Sequence, residues 1–387
     1  MRILQLISSA GHYGAENMLL TLAQNLQEMR CQVRVAVFCN AHKPNIEIAH
    51  QAARLGLPTE VVACRGRMDL EAVEAIRECI RSHEIDLLHT HGYKADLYGY
   101  AAARTTGVSL LATCHNWPDK NLPLWFYSVL DRLVLRRFPR VVAVSEGVKE
   151  SLWRFGVSKN RVSVIANGVD LARFSAAQPS LGGEIGRGDR LVIGTVGRLV
   201  PAKGGVYFLR AAREVLRVFA GALFVLVGDG PEREELKTLA HQLGIQSSVV
   251  FVGQRNDIPG VYASFDVVVL PSLTEAMPLA VLEALAAKRA VVASRVGGIP
   301  LMILHEQTGL LVEPGDDRGL ADAIMRLLAD GELRRKLGQD GHALVQRRFS
   351  AARMARSYLG VYEDVLRKAQ PRTEPLAERK IVDVLDR

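Results

Sequence analysis

The sequence predicts an α/β fold of two open, doubly wound parallel sheets, and three observations carry that prediction. Short apolar runs alternate with helix-period stretches from the first residue onward. The rhythm breaks once, over 171–189, and then restarts with similar spacing. At 387 residues the chain is also long for a single hydrophobic core, so two domains are expected.

The first domain, 1–170, carries strand-like runs at Ile3–Ser8, Val33–Phe38, Glu60–Ala63, Leu87–His89, Leu110–Thr113, Val141–Val144 and Val162–Ile165. Amphipathic stretches such as Ala15–Met29 and Asp69–His83 lie between them. Residues 171–189, LARFSAAQPSLGGEIGRGD, contain Pro, four Gly and little periodicity, and read as the interdomain linker. The second domain, 190–349, repeats the pattern with runs at Leu191–Val196, Leu223–Val227, Val249–Val252, Val267–Leu270, Val291–Ala293 and Gly309–Val312. Beyond Asp316 the chain is mainly helical and ends in an amphipathic helix, Ser350–Lys368. The charged tail, 370–387, reads as mobile, with a short helix at Lys380–Leu385. Ligands of such sheets bind outside the carboxyl ends of the strands, so a cleft between the domains is the expected site.

Composition narrows the class. Hydrophobic content of 49% and charged content of 23% are those of a globular protein. The net charge of +8 divides evenly, +4 on 1–170 and +4 on 171–387, so neither half reads as a nucleic-acid module. The excess suits anionic substrates or an anionic membrane surface. Cys31, Cys39, Cys64, Cys79 and Cys114 form no CxxC and are odd in number, which points to reduced thiols and a cytoplasmic setting. The apolar run at the N-terminus is too short for a signal peptide, and no window approaches ~18 uninterrupted apolar residues. A soluble protein is expected.

The stretch richest in chemistry is Val267–Gly298, a strand, a polar loop, a helix and a second strand from Ala290 to Ala293. Pro278 is expected at the first helical position, where a missing N–H costs nothing. Leu279, Leu282 and Ala286 share one helix face. Glu275 in the loop and Glu283 in the helix are separated by seven residues, roughly 12 Å along an axis rising ~1.5 Å per residue. Carboxyls working as acid and base on one bond sit about 5–9.5 Å apart, so these two are better suited to gripping two polyol ends of one ligand. Between them, the N–H groups of Leu279 and Ala280 offer an anion site at a helix N-terminus. Polyol, anion, polyol is the layout of a nucleotide sugar. The plain alternative is a capping Glu275 and a solvated Glu283.

Other motifs are weaker singly. Gly11 and Gly14 in GHYGAEN let backbone approach a ligand just before a helix, without forming the GxGxxG fingerprint. In GTVGRLVPAKGG, Arg198 and Lys203 lie past a strand end, where two cations can clamp a diphosphate. VGDGPEREEL reads as structural, with Asp229-Gly230 turning, Pro231 opening a helix and Gly228 giving a ligand room. His89 and His91 are read as pointing to opposite sides of a strand, too few for a metal site. His115 stands at a strand end where it could meet a reacting sugar, with Cys114 directed away. No GxSxG, P-loop or HExxH is present. Asn121–Arg140 combines Trp125, Phe126, Leu130, Leu133 and Val134 with Arg132, Arg136, Arg137 and Arg140, a composition fitting either an anionic membrane surface or core packing.

Taken together these residues closely resemble the retaining nucleotide-sugar glycosyltransferases of family four, which have the two-Rossmann-domain GT-B fold. The resemblance runs to about Lys368. It rests on the Gly-rich loop with Ala15-Glu16, His89-Thr90-His91-Gly92, Asn167-Gly168-Val169-Asp170, Gly197-Arg198 with Lys203, Gly228-Asp229-Gly230 and the Glu275/Glu283 pair. It implies that Arg198 and Lys203 hold the donor diphosphate, Glu283 the ribose and Glu275 the transferred sugar. His115 would lie near the reacting carbon, and Gly14 would let the N-terminal loop approach phosphate and acceptor. Gly197, Gly228, Met277, Pro278, Leu279 and Ala280 complete the implied donor-binding set, and the last helix would cross back onto the first domain.

The resemblance further implies no metal and no cofactor beyond a UDP- or GDP-linked donor. Transfer would retain the anomeric configuration, through same-face attack in which the leaving phosphate helps take the acceptor proton. The basic-aromatic stretch 121–140, rather than the resemblance, points to the acceptor: a glycan or lipid-linked intermediate of cell-surface polysaccharide or lipopolysaccharide synthesis, met at the inner face of the plasma membrane. Two departures are Ala276, where Gly is frequent, and Leu301, where Glu is common. A sugar-nucleotide epimerase on the same fold and a non-catalytic glycan-assembly subunit are the competing readings.

Overall fold

The computed structural model of the chain describes residues 1–8, 14–42, 44–66, 69–115 and 122–369, with backbone alone at 122–128 and 369. Two all-parallel sheets organise it. The first contains β1 (Arg2–Ile7), β2 (Gln32–Asn40), β3 (Thr59–Cys64), β4 (Leu87–His91), β5 (Ser109–Cys114), β6 (Arg140–Ala143) and β7 (Val162–Val164), in the order β3-β2-β1-β4-β5-β6-β7. The second contains β8 (Val192–Val196), β9 (Leu223–Val227), β10 (Val249–Gly253), β11 (Val267–Leu270), β12 (Ala290–Ser294) and β13 (Leu310–Val312), ordered β10-β9-β8-β11-β12-β13. Each expected strand is present, with ends shifted by a residue or two.

Both sheets reverse direction of winding beside their first strand, between β1 and β4 and between β8 and β11. Such switch points open a crevice at the carboxyl edge. The segments leaving those strands therefore face it: Gly14 after β1, His91 ending β4, Arg198 after β8 and Ser272–Glu275 after β11. In the second sheet helices cover both faces, and every residue of β9, β11 and β12 is buried.

The segment 171–189 is a packed element of the second domain rather than a loose linker. Asp170 caps a short helix, Leu171–Ser175, and the backbone N–H groups of Ser180 and Leu181 both donate to Ser264 Oγ at 3.0 Å. Phe174, Leu181 and Ile185 are buried, and Arg187 donates to both oxygens of Asp266. The anchors are irregularly spaced, so periodicity could not reveal them.

The last helix, Ala351–Ala369, covers the first sheet. Tyr358 and Tyr362 are fully buried and hydrogen-bond to Thr113, His89 and Gln5. Its return runs beside the outgoing connection: Val169 N–H donates to Phe349 O and Ala351 N–H to Val169 O, each at 2.9 Å. The two crossings between the domains are thus hydrogen-bonded to one another.

Helix 122–135 stops five residues short of Arg140, which opens β6. Arg132 lies over the Phe155 ring at 3.4 Å, Arg136 donates to Phe155 O and Arg140 to Asn160 O, so three of the four arginines serve intramolecular contacts. Asp131, Leu135 and Phe138 are buried, whereas Leu133 is exposed. Asn121 and the side chains of Trp125 and Phe126 lie outside the described residues, as do Gly11 and the tail 370–387. All five cysteines are unpaired. Among the described residues no helix is long and apolar enough to cross a membrane.

Candidate active site

At the carboxyl edge of β8, Gly197 and Arg198 lead into a tight turn, Pro201–Lys203, before helix Gly205–Val218. The turn brings Lys203 back over the loop that follows β11. Its Nζ lies 2.5 Å from Glu275 Oε1, and Ser272 Oγ donates to the same oxygen at 2.8 Å. Arg198, Lys203, Ser272 and Glu275 line a single depression, with Arg198 exposed at its mouth. The Glu275 side chain is 9% exposed against 32% for Lys203, so the carboxylate is the better buried partner of a charge-assisted pair. Three residues expected to hold donor and sugar are therefore brought together, and Lys203, expected at the diphosphate, is paired with Glu275, expected at the sugar.

Glu275 lies in the loop, outside the helix, so the spacing to Glu283 cannot be counted along a helix axis. Helix Leu279–Ala286 begins one residue later than expected: Pro278 is its N-cap, in extended conformation, and has no capping side chain. The first-turn N–H groups of Leu279 and Ala280 accordingly lack a side-chain acceptor from that position, which preserves the anion-binding end. The helix is buried almost all round, Val281, Ala284 and Leu285 included. Gly14 opens helix Gly14–Glu28, and a Cβ there would sit 4.0 Å from Leu279 Cδ1, so the starts of these two helices face one another.

Glu283 is half-buried, and Tyr262 Oη donates to its Oε2 at 3.1 Å. Burial pushes its pKa up to about 7, opposed by the Tyr262 hydrogen bond and by Arg173. A ribose diol donates hydrogen bonds, and the ionised carboxylate accepts them more strongly. Nucleotide affinity is therefore expected to rise as pH passes upward through about 7 and to level off above it. In Glu283→Gln this component should vanish. Titration calorimetry of both proteins from acid to alkaline pH checks it, since the nucleotide's own ionisation cancels in the difference; parallel profiles would refute it.

Two glycines hold the loops together. Gly297 has φ +52°, and a Cβ there would lie 1.6 Å from Glu275 O, inside bonding distance. Only glycine lets the turn after β12 pass beneath the Glu275 loop. Gly228, at φ +131°, meets Gly197 O in the same way, at 1.9 Å. The room it makes is taken by the neighbouring loop. Helix Arg233–Gln242 opens two residues after Pro231, not at it.

Met277 is buried and ties the domains together: its carbonyl accepts from Asn167 Nδ2 at 3.0 Å. Ser272, Tyr262, Asn167 and Gly297 were not expected at the site. Asn167 and Gly297 stood in motifs already noted; Ser272 and Tyr262 carried no local signal.

His115 lies one residue past β5 in the first domain, its Nε2 3.3 Å from His91 Nδ1. Burial pushes its pKa down to about 4. His89 and His91 share one face, ring centroids 4.2 Å apart, because residues two apart in a strand point the same way. Cys114 points elsewhere: its thiol is raised by burial and by the carboxyls of Asp96 and Asp131, so no Cys–His pair forms. No described hydrogen bond joins His115 to the Lys203–Glu275 pair.

Comparison with known proteins agrees with this geometry. Residues 184–343 match the model for glycosyl transferases group 1, and residues 13–173 that for glycosyltransferase family 4. The chain is 30% identical over 283 residues to the UDP-Gal:alpha-D-GlcNAc-diphosphoundecaprenol alpha-1,3-galactosyltransferase of Escherichia coli, covering 68% of this chain and 71% of that one. It is 31% identical over 285 residues to the lipopolysaccharide core biosynthesis glycosyltransferase LpsD of Rhizobium meliloti, covering 73% and 77%. The fold matches that of Anabaena Alr3699/HepE, solved in complex with UDP and glucose, with TM-score 0.82 at 24% identity over 94% of this chain and 100% of that one. The chain belongs to the group 1, family 4 glycosyltransferases, and its fold is GT-B. It is a transferase that uses a nucleotide sugar.

Proposed function

We propose that this enzyme transfers a hexose-like sugar, with retention and without a metal, from a UDP-linked donor to a lipid-linked or glycan acceptor of cell-surface polysaccharide synthesis. The observation that carries the proposal is the Arg198, Lys203, Ser272 and Glu275 depression at the switch point of the second sheet. Two cations and a helix N-terminus there are placed to stabilise the negative charge that grows on a departing diphosphate. Lys203 must leave Glu275 to reach that phosphate, which frees the carboxylate to accept sugar hydroxyls. Among the described residues no side chain offers a nucleophile–base pair near them, which fits a same-face attack in which the leaving phosphate oxygen takes the acceptor proton. Among the described residues the only His, Cys and carboxylate group close enough for a metal is Glu60, Cys79 and His83, on an edge strand and helix end away from the switch points. Arg34 already donates to Glu60 at 2.8 Å.

Choice of UDP and of a lipid-linked acceptor is supported by the E. coli relative and by the UDP complex of the Anabaena protein, whose names state these ligands. In a metal-free thermal-shift panel of UDP, GDP and ADP, UDP should raise Tm most, because a ligand that binds only the folded state stabilises it by RT ln(1 + [L]/Kd). A larger shift with GDP or ADP would overturn the base assignment. Exposed Leu133 and Arg137, on and just beyond helix 122–135, support peripheral contact with an anionic inner-leaflet surface in the cytoplasm. The protein should co-sediment with anionic vesicles at low salt and lose that binding in Leu133→Asp/Arg137→Glu; failure of the wild type to sediment would refute the contact.

A further inference from the structure

Seven polar side chains form one buried chain of hydrogen bonds behind His115, and its proton positions can be worked out from one end. Gln5, on β1, is 0% exposed, and its Nε2 donates to Tyr362 Oη at 3.2 Å. Its Oε1, which has no proton, lies 2.8 Å from His91 Nε2. His91 must therefore carry its proton on Nε2. A neutral imidazole has one proton, so His91 Nδ1 is a lone pair, and His115 Nε2 at 3.3 Å must supply the hydrogen between them. Along the other branch, Tyr362 accepts from Gln5 and so gives its own proton to His89 Nδ1 at 2.8 Å. His89 in turn donates from Nε2 to Thr113 Oγ1 at 2.7 Å, and Thr113 meets Tyr358 Oη at 3.0 Å. One amide sets the same tautomer in three rings. Turning that amide over would reverse all three.

We infer that Gln5 and His91 are positioning residues for His115, fixing its ring with the proton on Nε2 and leaving Nδ1 as a bare acceptor. Among the described residues no hydrogen bond involves His115 Nδ1, and His115 is the one ring of the three that reaches the surface, His89 being 0% and His91 3% exposed. Burial holds all three rings neutral at physiological pH. The inference rests on the reading that His115 meets the substrate. It adds the sense of that contact: His115 accepts a hydrogen bond from a sugar or acceptor hydroxyl and does not donate one. A histidine held this way orients a hydroxyl through its lone pair, and its role is lost if the ring turns over even when the side chain stays in place.

The direct test is the long-range proton–nitrogen spectrum of the full chain labelled with nitrogen-15 histidine, with His115 assigned by its disappearance in His115→Ala. The expected result is a protonated Nε2 and a bare Nδ1 on His115; a proton on Nδ1 overturns the inference whatever the activity. The second test is kinetic. His91→Leu removes the acceptor and should lower kcat by about tenfold, the worth of one hydrogen bond of ~1.4 kcal/mol, with donor KM little changed. His91→Asn, whose side-chain oxygen falls near the lost Nδ1, should restore most of it. Wild-type kcat in His91→Leu alongside an impaired His115→Ala overturns the positioning role. Wild-type turnover in His115→Ala refutes the substrate-contact reading instead, and the spectrum still decides the tautomer.

Discussion

Arg198→Ala is expected to lower turnover by about 10²–10³-fold, the loss typical of removing one donor from a developing negative charge. The side chain is exposed at the mouth of the depression formed with Lys203 and Glu275, so the fold should not depend on it. Melting temperature and circular dichroism should match the wild type while initial rates with the nucleotide sugar collapse. Arg198→Lys should recover part of the loss, because it restores the charge without the two-pronged guanidinium fork. Turnover in Arg198→Ala within a few-fold of wild type, at normal stability, would remove the residue from the clamp.

The second large effect is expected at a residue with no side chain. In Gly297→Ala the new Cβ would stand 1.6 Å from Glu275 O at a backbone φ of +52°, so both the turn and the Glu275 loop must shift. Left-handed strain and displacement together should cost about 1–3 kcal/mol of stability. The kinetic cost should be greater, since moving a positioned group by about 1 Å can cost ~10² in rate. Glu275 would move relative to Lys203 and Ser272, while Glu283, further along the helix, keeps Tyr262. Loss of kcat with nucleotide affinity largely kept is the expected pattern. Gly221→Ala, where nothing lies within 4 Å of the added atom, is the matched control and should be silent. Equal behaviour of the two variants would contradict the packing argument.

The strands were legible because buried parallel strands are continuous runs of Val, Leu and Ile, as in Val267–Leu270 and Leu223–Val227. The location of Arg198, Lys203 and Glu275 was legible for a related reason: strand ends at a switch point must face the crevice. The pleat itself contradicts opposite faces for His89 and His91, since its period of two aligns them. Segment 171–189 escaped because its anchors, Phe174, Leu181 and Ile185, follow neither helical nor strand spacing. The Lys203–Glu275 pair spans 72 positions and the Gln5–Tyr362 bond 357, separations at which no local pattern carries information. Ser272 and Tyr262 matter only through the carboxylates they touch, which is a tertiary fact.

The length of that last separation bears on how the protein is made. β1 is synthesised well before helix Ala351–Ala369, yet Gln5, His89 and Thr113 need Tyr358 and Tyr362 to satisfy their buried polar atoms. Until the final helix emerges, the first sheet carries an uncovered polar seam, and at ~5–20 residues per second the delay after residue 170 is on the order of 10–40 s. The second domain, whose strands all lie between 192 and 312, closes its sheet without waiting for that helix. Maturation therefore runs against the order of synthesis: the first sheet is completed after the second, and the histidine side of the crevice acquires its final hydrogen bonds only when the second sheet is already in place.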